Sequence, residues 1–185
     1  TEPNDPNGQD LNAIIHELDA ENDVVLSVQK VGMAELSVLY NVADCTVNIS
    51  DAEGFGLGTL ESLATETPII VNMTGGMQEQ VTDGNEWFGI GIEPASKAII
   101  GSQDVPYIYE DRVSKEDFIA ALDKMYNTSK EDREELGKKG RQHVLDNYGF
   151  DSYVSQWDQE LTRVFESKGS WSNRKHKSWE FLKVL

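Results

Sequence analysis

Apolar positions along this chain change period several times, and each change marks an element. Leu11, Ile14, Ile15 and Leu18 recur at helical spacing, as do Leu36, Leu39 and Tyr40, which predicts helices there. Val24 to Val28 and Cys45 to Ile49 are β-branched runs that read as strands, and Pro68-Ile69-Ile70-Val71-Asn72 reads as a third whose entry is set by the proline. Leu57, Leu60, Leu63 and Ala64 form one stripe and predict a helix near 58–66. A short helix follows Gly76, then an apolar stretch from Trp87 to Ile92. Residues 94–113, with Pro94, Gly101 and Pro106, read as a long connection of the kind that is functional or mobile. Three helices close the pattern. Their stripes are Phe118, Leu122 and Met125, then Leu136, Val144 and Leu145, then Tyr153, Trp157, Leu161, Val164 and Phe165.

Strands alternating with helices predict an α/β fold, a Rossmann-like parallel sheet flanked by helices with a C-terminal helical extension. The reading divides the chain into a polar lead-in at 1–9, one nucleotide-binding domain at 10–167 and a basic aromatic tail at 168–185. Ligands of such sheets bind beyond the carboxyl ends of the strands. The turns 49–57 and 72–76 both fall at that edge.

The chemistry concentrates in Ser50-Asp51-Ala52-Glu53-Gly54-Phe55-Gly56-Leu57-Gly58-Thr59-Leu60-Glu61. Strand, glycine turn and helix start in succession aim unpaired N–H groups and the positive end of a helix dipole at one spot, which suits an anion. Gly54 and Gly56 allow the backbone to approach a phosphate closely. Glu61, one turn into the helix, can accept hydrogen bonds from both hydroxyls of a ribose. Glu53 stands at the lip. Plainer readings exist for each: a tight turn for the glycines, dipole compensation for Glu61, a solvated loop carboxylate for Glu53. Phe55 reads as a wedge into the core. Gly75 and Gly76 read equally as a helix-start turn or as a loop approaching the ligand.

This stretch resembles the signature of the GT-B glycosyltransferases, group 1, in which a Glu precedes Gly-Phe-Gly-Leu and a second Glu lies eight positions after the first, as Glu53 and Glu61 do. The resemblance extends over most of 24–165, through Tyr40-Asn41-Val42-Ala43-Asp44, Glu61-Ser62-Leu63-Ala64, Thr67-Pro68-Ile69-Ile70-Val71, Gly75-Gly76 with Glu79, Asp83-Gly84, and Gly137 to Tyr148. Ile49, Gly58 and Gln78 stand where the family often has proline. The resemblance implies a retaining transferase whose donor is a nucleotide-diphosphate sugar and which needs no metal or other cofactor. Gly54, Phe55, Gly56 and Leu57 would carry the diphosphate, Glu61 the ribose, Glu53 the transferred sugar, Gly75 and Gly76 a further donor loop, and the strand end near Val28 to Lys30 the base. It also implies that the chain is a C-terminal donor-binding half. A first domain would bind the acceptor glycan, lipid or protein and supply cations, so the chain alone is expected to be inactive. A fold remnant without turnover and a GT-B-fold epimerase are the alternatives.

Composition narrows the partners. Sixteen Lys and Arg against 33 Asp and Glu give a formal charge of −17 over 185 residues, which argues against nucleic acid. No Lys or Arg occurs between Lys30 and Lys97, so in sequence the turn has no cation beside it. The tail reverses the balance, with Lys168, Arg174, Lys175, Lys177 and Lys183 against Glu180. Its aromatics, with Trp157 and Phe165, make a homo-oligomer an expectation. Asp51 and Glu53 superficially resemble an acidic metal motif, but a loop Asp is more often a turn residue. His16, His143 and His176 are scattered. The single Cys45 excludes an internal disulfide. Three glycosylation sequons read as chance without a secretory signal, and cytoplasmic residence is expected.

Overall fold

The computed structural model describes residues 3–6, 8–101, 103–170 and 172–173. The aromatic tail read at 168–185 lies outside the described residues at Trp171 and beyond Asn173. The chain divides into two units, Thr1–Leu39 and Tyr40–Leu185.

The first unit holds helix α1 (Leu11–Glu17), capped by Asp10, whose side chain accepts from the Ala13 amide. Helix α2 (Met33–Val42) begins in this unit and runs across the division. The strand expected over Val24 to Val28 does not form, and Val25 is 94% exposed. A β-branched run becomes a strand only where a neighbour takes up its N–H and C=O groups, and no described residue of the unit lies in a strand.

The second unit is built on a three-stranded parallel sheet. Strand β1 (Thr46–Asn48) pairs with β2 (Ile69–Asn72), which pairs with β3 (Ile90–Ile92), in the order β1-β2-β3. Helix α3 (Leu57–Ala64) connects β1 to β2, and α4 (Met77–Val81) lies between β2 and β3. Strand β2 is wholly buried, and its alternation divides the core. Ile69 and Val71 pack with Leu63, Met77, Val81 and Phe88 on one face. Ile70 packs with Ile92, Ala121 and Met125 on the other.

Residues 94–113, read as an open connection, instead contain an antiparallel hairpin, β4 (Ser96–Ile100) with β5 (Ile108–Arg112). Lys97 faces Asp111 across it, and Ile99 faces Tyr109. Helices α5 (Lys115–Asn127), α6 (Lys130–Asn147) and α7 (Phe150–Lys168) follow. Ser114 and Ser129 cap α5 and α6 by accepting from the Asp117 and Asp132 amides. Helix α6 meets the end of α3 so closely that a Cβ at Gly137 would stand 2.0 Å from the Glu66 carbonyl oxygen. Beside that contact, Arg141 donates to the Ala64 carbonyl at 2.7 Å and pairs with Glu66. The stripe expected on the last helix is present on α7, but none of its residues is buried. Among the described residues no helix is long and apolar enough to cross a membrane.

Candidate functional site

Polar side chains on β1 fix the helix that follows it. The Thr46 hydroxyl bonds Ser62 at 2.5 Å, and Asn48 donates to the Thr59 hydroxyl at 3.2 Å. Asn48 also accepts from the Ser50 amide and hydroxyl, which bends the chain out of the strand. The turn then runs to Gly56, the N-cap of α3, whose left-handed φ of 87° favours glycine.

Hydrogen bonds on one side of this turn decide what the other side offers. The Gly54 carbonyl accepts from Gly76 N–H at 2.9 Å, the Phe55 carbonyl from the Gln80 amide at 2.6 Å, and the Gly56 carbonyl from Thr59 and Leu60. In a trans peptide the N–H points opposite its carbonyl. The amides of Phe55, Gly56 and Leu57 therefore face away from these partners. None of the amides from Gly54 to Gly58 finds an acceptor among the described residues. Together with the start of α3 they form a row of unsatisfied donors at the positive end of a helix.

The carboxylates sit on either side. Glu61, half-buried, accepts from the Tyr40 hydroxyl through Oε2 at 3.0 Å, and among the described residues Oε1 has no partner. Burial, and then the bond to Glu61 and its charge, push the Tyr40 phenol up to about 12, so Tyr40 donates at any physiological pH. The Glu53 carboxylate has no partner among the described residues. Phe55 is half-exposed and meets Tyr148 edge-on rather than wedging into the core. The side chains under the turn are those of the buried Met77 and Gln80.

Gly75 and Gly76 press against the turn. A Cβ at Gly75 would fall 1.7 Å from the Glu53 carbonyl oxygen, and one at Gly76 would fall 2.6 Å from that of Phe55. Their lack of a side chain is thus explained by backbone contact. Gly54 is different: a Cβ there would meet nothing within 4 Å, so the fold gives no reason for its being glycine.

The hairpin brings in residues that linear spacing hid. Lys97 pairs with Asp111 at 3.1 Å, and Arg112 binds Glu110 and approaches Asp51 to 4.0 Å. The stretch without cations between Lys30 and Lys97 is therefore not a region without cations in space. Both cations are nevertheless held by carboxylates. Asn72, at the carboxyl end of β2, donates to the Ser50 and Asp111 carbonyls. Its Oδ1 and the Oε1 of Gln80 are buried without a partner among the described residues; a water or a ligand atom is needed to satisfy each. No group of three or more His, Cys, Asp or Glu is arranged to hold a metal among the described residues.

Comparison with known proteins gives the family and the fold. The model of the family described as glycosyl transferases group 1 matches residues 4–143. D-inositol 3-phosphate glycosyltransferase 2 of Catenulispora acidiphila is 34% identical over 92 residues, which are 48% of this chain and 22% of that protein. The D-inositol 3-phosphate glycosyltransferase of Streptosporangium roseum is 43% identical over 63 residues, 34% of this chain and 14% of that protein. The matches thus span a quarter or less of these relatives. Among solved structures, sucrose-phosphate synthase from Thermosynechococcus elongatus superposes with a TM-score of 0.67 at 22% identity, over 88% of this chain and 37% of that one. The catalytic domain of starch synthase IV from Arabidopsis thaliana, bound to ADP and acarbose, gives 0.57 at 18% identity, over 84% and 29%. These structures share the fold: one Rossmann-like half of a GT-B architecture with its helical extension.

Proposed function

The chain belongs to the glycosyl transferases group 1 family, and we propose that its second unit is the donor-binding domain of a retaining, nucleotide-sugar-dependent transferase. The diphosphate rests on the N–H groups of Gly54 to Leu57. Glu61, held through one oxygen by Tyr40, accepts the ribose hydroxyls with the other. Glu53 orients the transferred sugar, and the Gly75-Gly76 loop closes the same wall. Catalysis is then positioning together with stabilisation of the leaving diphosphate. An acceptor-binding domain outside these residues completes the cleft, so these residues alone bind donor without turning it over.

One observation carries this reading: five consecutive amides, Gly54 to Gly58, have no acceptor among the described residues and lead into a helix, and the first of them belongs to a glycine that the fold itself does not require. Calorimetry with UDP, GDP and ADP against inorganic pyrophosphate tests it. Glu61→Ala should weaken the nucleoside diphosphate and leave pyrophosphate nearly unaffected, because only the ribose contact is lost. Equal losses on both would remove the ribose assignment. A second reading, a fold that binds no donor, draws support from the neutralisation of Lys97 and Arg112 by Asp111, Glu110 and Asp51. Absence of binding at millimolar ligand would favour it.

A further inference from the structure

The hairpin is tied to the candidate site through one residue. Asp111 meets three separate segments. Its N–H donates to the Asp51 carbonyl at 2.7 Å, at the start of the glycine turn. Its own carbonyl accepts from Asn72, which also reaches Ser50. Its carboxylate accepts from the Thr74 hydroxyl at 2.8 Å through Oδ2, just before Gly75, and from Lys97 of the opposite strand at 3.1 Å through Oδ1. Thr74 and Asn72 are buried. The loop after β1 and the loop after β2 thus share an anchor that belongs to neither. Those two loops are also the ones whose mutual contact, Gly76 N–H to Gly54 carbonyl, turns the free amides outward.

We propose that Asp111 is a positioning residue for the donor site, the point through which the β4–β5 hairpin holds both loops in the register that keeps the amides of Gly54 to Gly58 available. It acts through Thr74 and Asp51 and touches no substrate. The cations of the hairpin serve this bracing: Lys97 pairs with Asp111 and Arg112 reaches Asp51. The role at the site rests on the donor-binding reading; the bracing itself does not.

Amide hydrogen exchange on the ligand-free chain separates the two. Asp111→Ala removes the carboxylate contacts to Thr74 and Lys97 and keeps the main-chain bonds to Asp51 and Asn72. It should raise exchange at Met73, Thr74 and Gly76, the amides of the 73–77 loop that have acceptors, by about tenfold, the size of one lost charge-assisted hydrogen bond, with α5 and α6 unchanged. Affinity for a nucleoside diphosphate should fall by a similar factor. Asp111→Asn keeps an acceptor for Thr74 and should restore most of both. Thr74→Val removes the same bond from the other end and covers the case in which Asp111→Ala does not fold. Unchanged exchange at Met73, Thr74 and Gly76, the last of which bonds the Gly54 carbonyl of the other loop, would overturn the brace. Raised exchange with unchanged affinity would overturn the positioning role. A native chain that binds no nucleoside diphosphate would remove the donor reading and with it the positioning role, while the exchange comparison still decides the brace.

Discussion

Replacing Gly75 by alanine tests the arrangement where it is tightest. Gly75 has φ of 52°, and an added Cβ would lie 1.7 Å from the Glu53 carbonyl oxygen. A left-handed backbone costs an alanine ~1–2 kcal/mol. The carbonyl must also retreat by about 1.3 Å to reach the 3.0 Å below which such contacts do not occur. That retreat breaks the bond from Gly76 N–H to the Gly54 carbonyl, for a further ~1 kcal/mol. The total of about 2–3 kcal/mol corresponds to a fall in Tm of roughly 5–10 °C for a chain of this length. Displacement of the turn by more than a hydrogen bond tolerates should reduce affinity for a nucleoside diphosphate by at least about tenfold. Gly54→Ala supplies the contrast. Nothing lies within 4 Å of its Cβ position, so Tm should hold within about 1 °C, yet on the proposed donor-binding reading a methyl group there crowds the phosphate, and affinity should again fall by about tenfold. Scanning calorimetry and ligand titration on both variants read the two quantities separately. A Gly54→Ala protein with native affinity would refute the reasoning, since a glycine that the fold does not explain would then be unexplained by the ligand as well.

Further outcomes follow from single contacts. The Tyr40 phenol, raised to about 12, should ionise well above a free tyrosine in an ultraviolet titration. Because its folded value lies above its unfolded one, its contribution is fully present below about 10 and is lost as pH rises through about 12. Burial pushes the Cys45 thiol up to about 11, so at pH 8 iodoacetamide should modify it about a hundredfold more slowly than an unperturbed thiol. Gly137→Ala places a Cβ 2.0 Å from the Glu66 carbonyl oxygen and should cost ~1–3 kcal/mol in denaturant unfolding.

The elements around the turn were legible because local and tertiary preferences agree there. Pro68 and the β-branched Ile69-Ile70-Val71 form a strand that is buried on both faces, and such strands announce themselves as unbroken apolar runs. Val24 to Val28 carries the same local signal but pairs with no strand among the described residues, which no local pattern reveals. The hairpin failed in the opposite sense. Ile99, Ile100 and Ile108 do not alternate cleanly, and every residue of β4 is at least partly exposed, so its pairing shows only once Lys97 faces Asp111. The candidate glutamates and glycines could be named from spacing, but Tyr40, Gln80 and Asp111 could not. Each acts across the fold, from positions 21, 25 and 60 residues away from the atoms they bind at Glu61, Phe55 and Asp51.

The guanidinium of Arg141, seated on the Ala64 carbonyl, gives α3 an uneven pair of ends. Eight residues make a rod of about 12 Å, only slightly longer than the screening distance in physiological salt, about 8 Å. An anion arriving at its head would ordinarily feel some of the opposing sign at its foot. With that foot answered by a guanidinium that Glu66 also pairs, the opposing sign is weakened rather than removed.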